Sequence, residues 1–154
     1  MKNNDILRRL RYALDISDVK MIEIFGKSNF NVNKDEIRNM LKKEDEEGFY
    51  NVNDRIMTLF LDGFVIFKRG DNPKKEEVKK EKKLTNNEIL KKIKIALSLK
   101  TEDILELMEL AESPISKSEL GAVLQKKDHK NYKECGDKYI KKLLQGLTIK
   151  FRNN

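Results

Sequence analysis

The residues best placed to do chemistry lie in two segments of the same design. One reads Lys43-Glu-Asp45-x-x-x-Phe49-x-x-x-x-Asp54, the other Lys126-Lys-Asp128-x-x-x-Tyr132-x-x-x-x-Asp137. A lysine, two carboxylates and an aromatic in each would make a pair of equivalent recognition loops. The structural alternative is that Asp45 and Asp128 cap a turn, Asp54 and Asp137 cap the helix that follows, and the aromatic plugs the core. Asp just before an apolar periodic run is ordinary helix-start chemistry, so the structural role is the expected one.

Other chemistries fit less well. The run Glu44-Asp45-Glu46-Glu47-Gly48 resembles a calcium loop, but Phe49 stands where an oxygen ligand is needed. His129 and Cys135 are the only residues of their types, too few for a zinc site, so no metal and no cofactor is expected. Cys135 aligns with Val52, which points to a buried apolar role, and His129 aligns with the polar Glu46. No glycine-rich phosphate loop and no nucleophile elbow is present, and no catalytic residue is assigned. A simple helix-turn-helix is rejected, because about ten residues separate the third and fourth helices of each copy and the fourth is too apolar for a groove.

Basic charge is the remaining signal. Arg8, Arg9 and Arg11 correspond to Lys91, Lys92 and Lys94 on two equivalent helices, expected to face solvent. These six form a candidate anion-binding surface that could follow a phosphate backbone, set against the plainer role of solvating an exposed face. The chain carries 33 Lys+Arg against 26 Asp+Glu, net +7. Residues 1–70 contribute +1, 71–84 contribute +2 and 85–154 contribute +4.

The elements that must position these groups come from a duplication. Residues 3–69 align without gaps on residues 86–152 at an offset of 83, with about a quarter of the paired positions identical. NNDILRRLRYAL pairs with NNEILKKIKIAL, and FLDGFVI with LLQGLTI. Each copy reads as four helices. The first is expected to start on the capping amides of Asn3/Asn4 or Asn86/Asn87, with Ile6, Leu7, Leu10, Ala13 and Leu14 as its apolar face. The second follows Asp18 or Thr101, and Gly26 is its expected stop in the first copy. The third opens with a capping box, Asn33 with Glu36 and Ser116 with Glu119, the serine form being the stronger signal. The fourth starts near Asp54 or Asp137 and carries the most apolar stripe of its copy. Gly63 and Gly146 hold the same phase of that helix, which predicts close approach of another helix there, most simply the two fourth helices crossing.

The sequence therefore predicts an all-α protein of tandem four-helix lobes packed as one pseudo-twofold unit. Its divisions are a first repeat at 1–70, a charged linker at 71–84 and a second repeat at 85–154. A lobe of about 70 residues has a marginal core by itself, so the two are expected to pack together. With 154 residues, 38% hydrophobic and 38% charged, the chain suits a small globular fold. Its most apolar stretch, 56–67, is too short and broken to span a membrane, so no membrane association is expected. A lone cysteine suits a reducing compartment, hence a cytoplasmic location.

The chain resembles the bacterial YehS-like proteins, a family classed as a domain of unknown function. The resemblance spans essentially the whole chain and rests on LKKEDEEGF in the first copy, SLKTEDIL and DHKNYKECGD in the second, and the LDGF and KRG segments. It implies a tandem pair of one helical domain and brings no activity, cofactor or partner with it. The expected function is a non-enzymatic binding or regulatory module with a protein partner. The alternative is a nucleic-acid or ribosome-associated protein using the basic first helices; an enzyme of unrecognised type ranks third, and the oligomeric state is left open.

Overall fold

The computed structural model describes residues 1–70 and 83–152. Within them the chain forms eight helices and no strand. The first repeat holds α1 (Asn3–Leu14), α2 (Asp18–Lys27), α3 (Lys34–Met40) and α4 (Asp54–Arg69). The second holds α5 (Asn86–Ala96), α6 (Thr101–Leu110), α7 (Lys117–Leu124) and α8 (Asp137–Arg152). Most of the expected linker, 71–82, lies outside the described residues. Leu84, counted with it, belongs to the fold: it packs on the core, and its amide donates to Asp54.

The apolar stripes close into one continuous core. Ile6, Leu7, Leu10 and Ala13 of α1 are buried, as are Ile56, Met57, Phe60, Leu61 and Phe64 of α4. Full burial of a large apolar side chain contributes about 1.5–3 kcal/mol, so these stripes rather than helix propensity hold the elements in place. The first repeat fills its centre with Phe25, Phe60 and Phe64, where the second uses Met108, Leu143 and Leu147.

Helix starts and stops differ from expectation in three places. Lys2 and Thr85, not the asparagine pairs, precede α1 and α5; the Thr85 hydroxyl accepts from the Glu88 amide, and the Asp5 carboxylate accepts from the Lys2 amide. Both Asn pairs are already helical, which frees their side chains for the loops. Gly26 lies inside α2, which runs to Lys27 and is capped by Ser28, with Asn29 in the left-handed region (φ 59°). The reciprocal capping box forms at Asn33/Glu36, whereas Ser116 supplies the accepting half, from the Glu119 amide.

The repeats interlock through their first and last helices. The Met1 ammonium meets Asp137 at the start of α8, and Arg152 at its end donates to the Tyr12 carbonyl and Asp15 at the end of α1. Start meets start and end meets end, so α1 and α8 run parallel. The same holds 83 residues away: the Leu84 amide donates to Asp54, and Arg69 donates to the Ile95 carbonyl and Ser98. α1 thus lies along α8 and α5 along α4, each repeat's first helix covered by the last helix of the other.

Gly63 and Gly146 are buried at close approaches, as expected, but against different neighbours. A Cβ on Gly63 would collide with the Ile24 carbonyl of α2, and one on Gly146 with the Leu107 carbonyl of α6. The fourth helices therefore meet their own second helices there, not each other. The Ser28 hydroxyl fixes the crossing in the first repeat by donating to the Leu59 carbonyl at 2.7 Å.

Candidate functional site

Asn4 and Asn87 are the two buried polar side chains of the described residues, and each pins a loop. The Asn4 amide nitrogen donates to the Met40 and Tyr50 carbonyls at 2.9 and 2.8 Å, while its oxygen accepts from the Val52 amide at 3.0 Å. Asn87 does the same with the Val123 and Lys133 carbonyls and the Cys135 amide, at 2.9, 2.8 and 2.9 Å. One carboxamide thereby closes both ends of a loop, satisfying two buried carbonyls and an amide at once. Between the pins the backbone makes matching turns: the Glu46 amide donates to the Lys43 carbonyl and the Phe49 amide to Glu46, as His129 does to Lys126 and Tyr132 to His129.

The tips of these loops stand in water. Lys43, Asp45, Lys126 and Asp128 are exposed, and Phe49 and Tyr132 are half-buried. Two of the structural roles expected for them are not taken. Asp45 and Asp128 cap no turn; Glu46 supplies the accepting carboxylate for the Lys43 amide. The aromatic that packs on the first core is Tyr50, one residue beyond Phe49. The tips also differ in charge. Residues 42–50 carry two cations and four carboxylates, while 125–133 carry four lysines and one carboxylate. Among the described residues, Lys126, Lys127, Lys130 and Lys133 make no ion pair.

Asp54 and Asp137 stand at the first positions of α4 and α8, where Asn53 rather than Asp54 caps α4. Each carboxylate joins both repeats. Asp54 accepts from the Asn3 amide at 2.9 Å and from the Leu84 backbone at 3.1 Å; Asp137 accepts from the Asn86 amide and the Met1 ammonium at 2.8 and 2.7 Å. These bonds and the short chain segments between them close a polar ring where α1, α4, α5 and α8 begin. The Met1 ammonium, followed by the Asn86 amide, holds the Asp137 carboxyl below its ordinary range.

The six first-helix cations are not brought together as one free surface, and of them Arg9 alone is exposed, the other five being half-buried. Arg8 pairs with Asp5 at 2.6 Å and reaches the Lys42 carbonyl at the end of α3; Lys91 donates to the equivalent Gln125 carbonyl. Arg11 pairs with Asp18 at 2.9 Å, and Lys92 crosses the interface to Asp62 at 2.7 Å. Arg9 and Lys94 are the two without an ion pair among the described residues. Four of the six therefore cap helices or close helix contacts.

Cys135 is buried beside the Asn87 pin, and burial, with the Asp137 charge behind it, pushes its thiol up to about 12. That removes it as a nucleophile at neutral pH. His129 sits on the exposed second tip, its Nδ1 accepting from the Asn131 amide. The asparagine pins are what residue-by-residue reading missed. Their signal was the identical Asn-Asn pair in both copies, which a capping role alone did not require.

A family described as "Protein of unknown function (DUF1456)" matches the chain twice, over residues 3–70 and 86–153. The chain is 37% identical over 150 residues to "Uncharacterized protein YehS" of Escherichia coli (strain K12), covering 97% of this chain and 96% of that protein. No solved structure matches it. Among the described residues, no helix is long and apolar enough to cross a membrane.

Proposed function

The chain belongs to the DUF1456 family in two tandem copies, and from that duplicated frame we propose a non-catalytic, cytoplasmic binding module that meets its partner through the two pinned loops. The observation that carries this is the contrast between backbone and side chain within each loop. A buried asparagine fixes the ends, while the side chains of Lys43, Asp45 and Phe49, or Lys126, Asp128 and Tyr132, stand in water or half-covered and make no hydrogen bond or ion pair among the described residues. Ordering a loop before its ligand arrives lowers the entropic cost of binding, which suits a recognition surface. The burial of Cys135 supports binding over covalent chemistry.

The test is affinity capture from the protein's own cells, with and without nuclease. The bait is either the wild type or a variant with Lys43, Asp45, Phe49, Lys126, Asp128 and Tyr132 changed to Ala. The variant is expected to melt like the wild type and to lose the retained partner. Identical capture by both baits would overturn the reading.

A further inference from the structure

The two loops share one scaffold and differ in sign, and the difference is not one the fold requires. The first tip, carrying Glu44 and Glu47, satisfies the same backbone bonds as the second, carrying Lys127 and Lys130 at the equivalent positions. Lysine there is therefore free of structural duty. The excess extends along the same lobe. From Lys117 to Lys142 there are eight lysines against four carboxylates, whereas the equivalent stretch from Lys34 to Leu59 has five cations against seven. The four loop lysines are unpaired among the described residues, and Tyr132, half-buried, lies between Lys130 and Lys133 in the chain.

Resting on the loop reading above, we propose that the α7–α8 loop is a single-stranded nucleic-acid site. Lys126, Lys127, Lys130 and Lys133 grip phosphates and Tyr132 offers a face on which a base stacks. A lysine cluster of this density follows a polyanion through counterion release, and an aromatic among the cations favours unpaired bases over a duplex. The acidic first loop repels the same ligand, so one molecule takes up one strand at one loop.

The probe is a fluorescein-labelled 20-nucleotide oligo(U) RNA titrated with full-length protein, followed by anisotropy. With about four phosphate contacts, affinity is expected to fall about fifty-fold between 50 and 200 mM salt. The variant K127E/K130E writes the first loop's residues into the second; it should keep the wild-type melting temperature and bind at least about tenfold more weakly. E44K/E47K, the reverse exchange, should raise the stoichiometry from one strand to two. Tyr132→Ala should weaken the single strand more than a duplex of equal length, while R9E/K94E should bind as wild type does. Absence of binding at 50 mM salt, or wild-type binding by K127E/K130E, would overturn the site. Loop-dependent capture of a nuclease-insensitive partner would then still stand, so this assignment and the broader reading fail separately.

Discussion

Asn4 and Asn87 each make three hydrogen bonds from a buried side chain, two of them buried and the third part-buried. Truncation to Ala leaves two carbonyls and one amide unsatisfied, at about 1 kcal/mol or more for each bond. N4A and N87A should therefore each cost roughly 3 kcal/mol in urea unfolding, a large share of the 5–15 kcal/mol typical of a domain. Asp137 acts in the other direction of exposure, at the surface and on pH. Its folded pKa lies below the ordinary 3.8, so its contribution is fully present above that value and is lost as pH falls through the lowered one. Asp5 works the same way: burial pushes its carboxyl up, but the Arg8 and Lys2 bonds outweigh that and leave it lowered. Wild type should thus lose more stability than D137N between pH 5 and pH 2.5, measured by urea midpoints at both.

At the scale of elements, glycine has opposite meanings at different helix positions. Alanine at Gly63 or Gly146 gains up to about 1 kcal/mol of helix propensity but drives a methyl into a backbone carbonyl that belongs to a packed helix. Overpacking of this kind costs about 1–3 kcal/mol or more, so G63A and G146A should destabilise on balance. Gly26 and Gly121 have nothing within 4 Å of an added Cβ, and G26A and G121A should stabilise by up to about 1 kcal/mol. Thermal melts of the four variants give the signs. The helices themselves were legible in the sequence, since α4 and α8 begin at the expected Asp54 and Asp137 and bury the expected stripes. What pattern could not show was which apolar face meets which. A stripe with helical spacing says that Gly63 is buried, and it is silent on whether α2 or α8 lies across it. The loops were located by their repeated spacing. The roles inside them were not, because Asn4 and Tyr50 are joined through space across 46 residues.

For the whole molecule, the interlocked arrangement makes each repeat an incomplete object. Residues 1–70 contain α1 without α8 and α4 without α5, leaving two apolar faces uncovered. Two copies can cover them by repeating the same exchange, α1 of one along α4 of the other. Residues 1–70 expressed alone should then sediment as a homodimer with a concentration-dependent melting temperature. A monomer with full helicity would show that a repeat closes on itself. The duplication was plain in the sequence, and so was the need for the halves to pack. The exchange of first helices was not, because equal repeats are equally compatible with each copy folding back on its own α1.

The parallel pairing of α1 with α8 also sets a timetable. α1 is the first of the eight helices to be translated, yet α8, which packs along it, is the last of them. At about 5–20 residues per second, the interval between Leu14 and Arg152 is about 7–28 s. Throughout it the nascent chain must keep an amphipathic helix from aggregating without its native neighbour. Closing so long a loop is slow relative to local helix formation, so refolding of the finished chain should be limited by this last docking step. The charged residues around the apolar stripe of α1, among them Arg8, Arg9 and Arg11, are what that helix presents to water beside the stripe until α8 arrives.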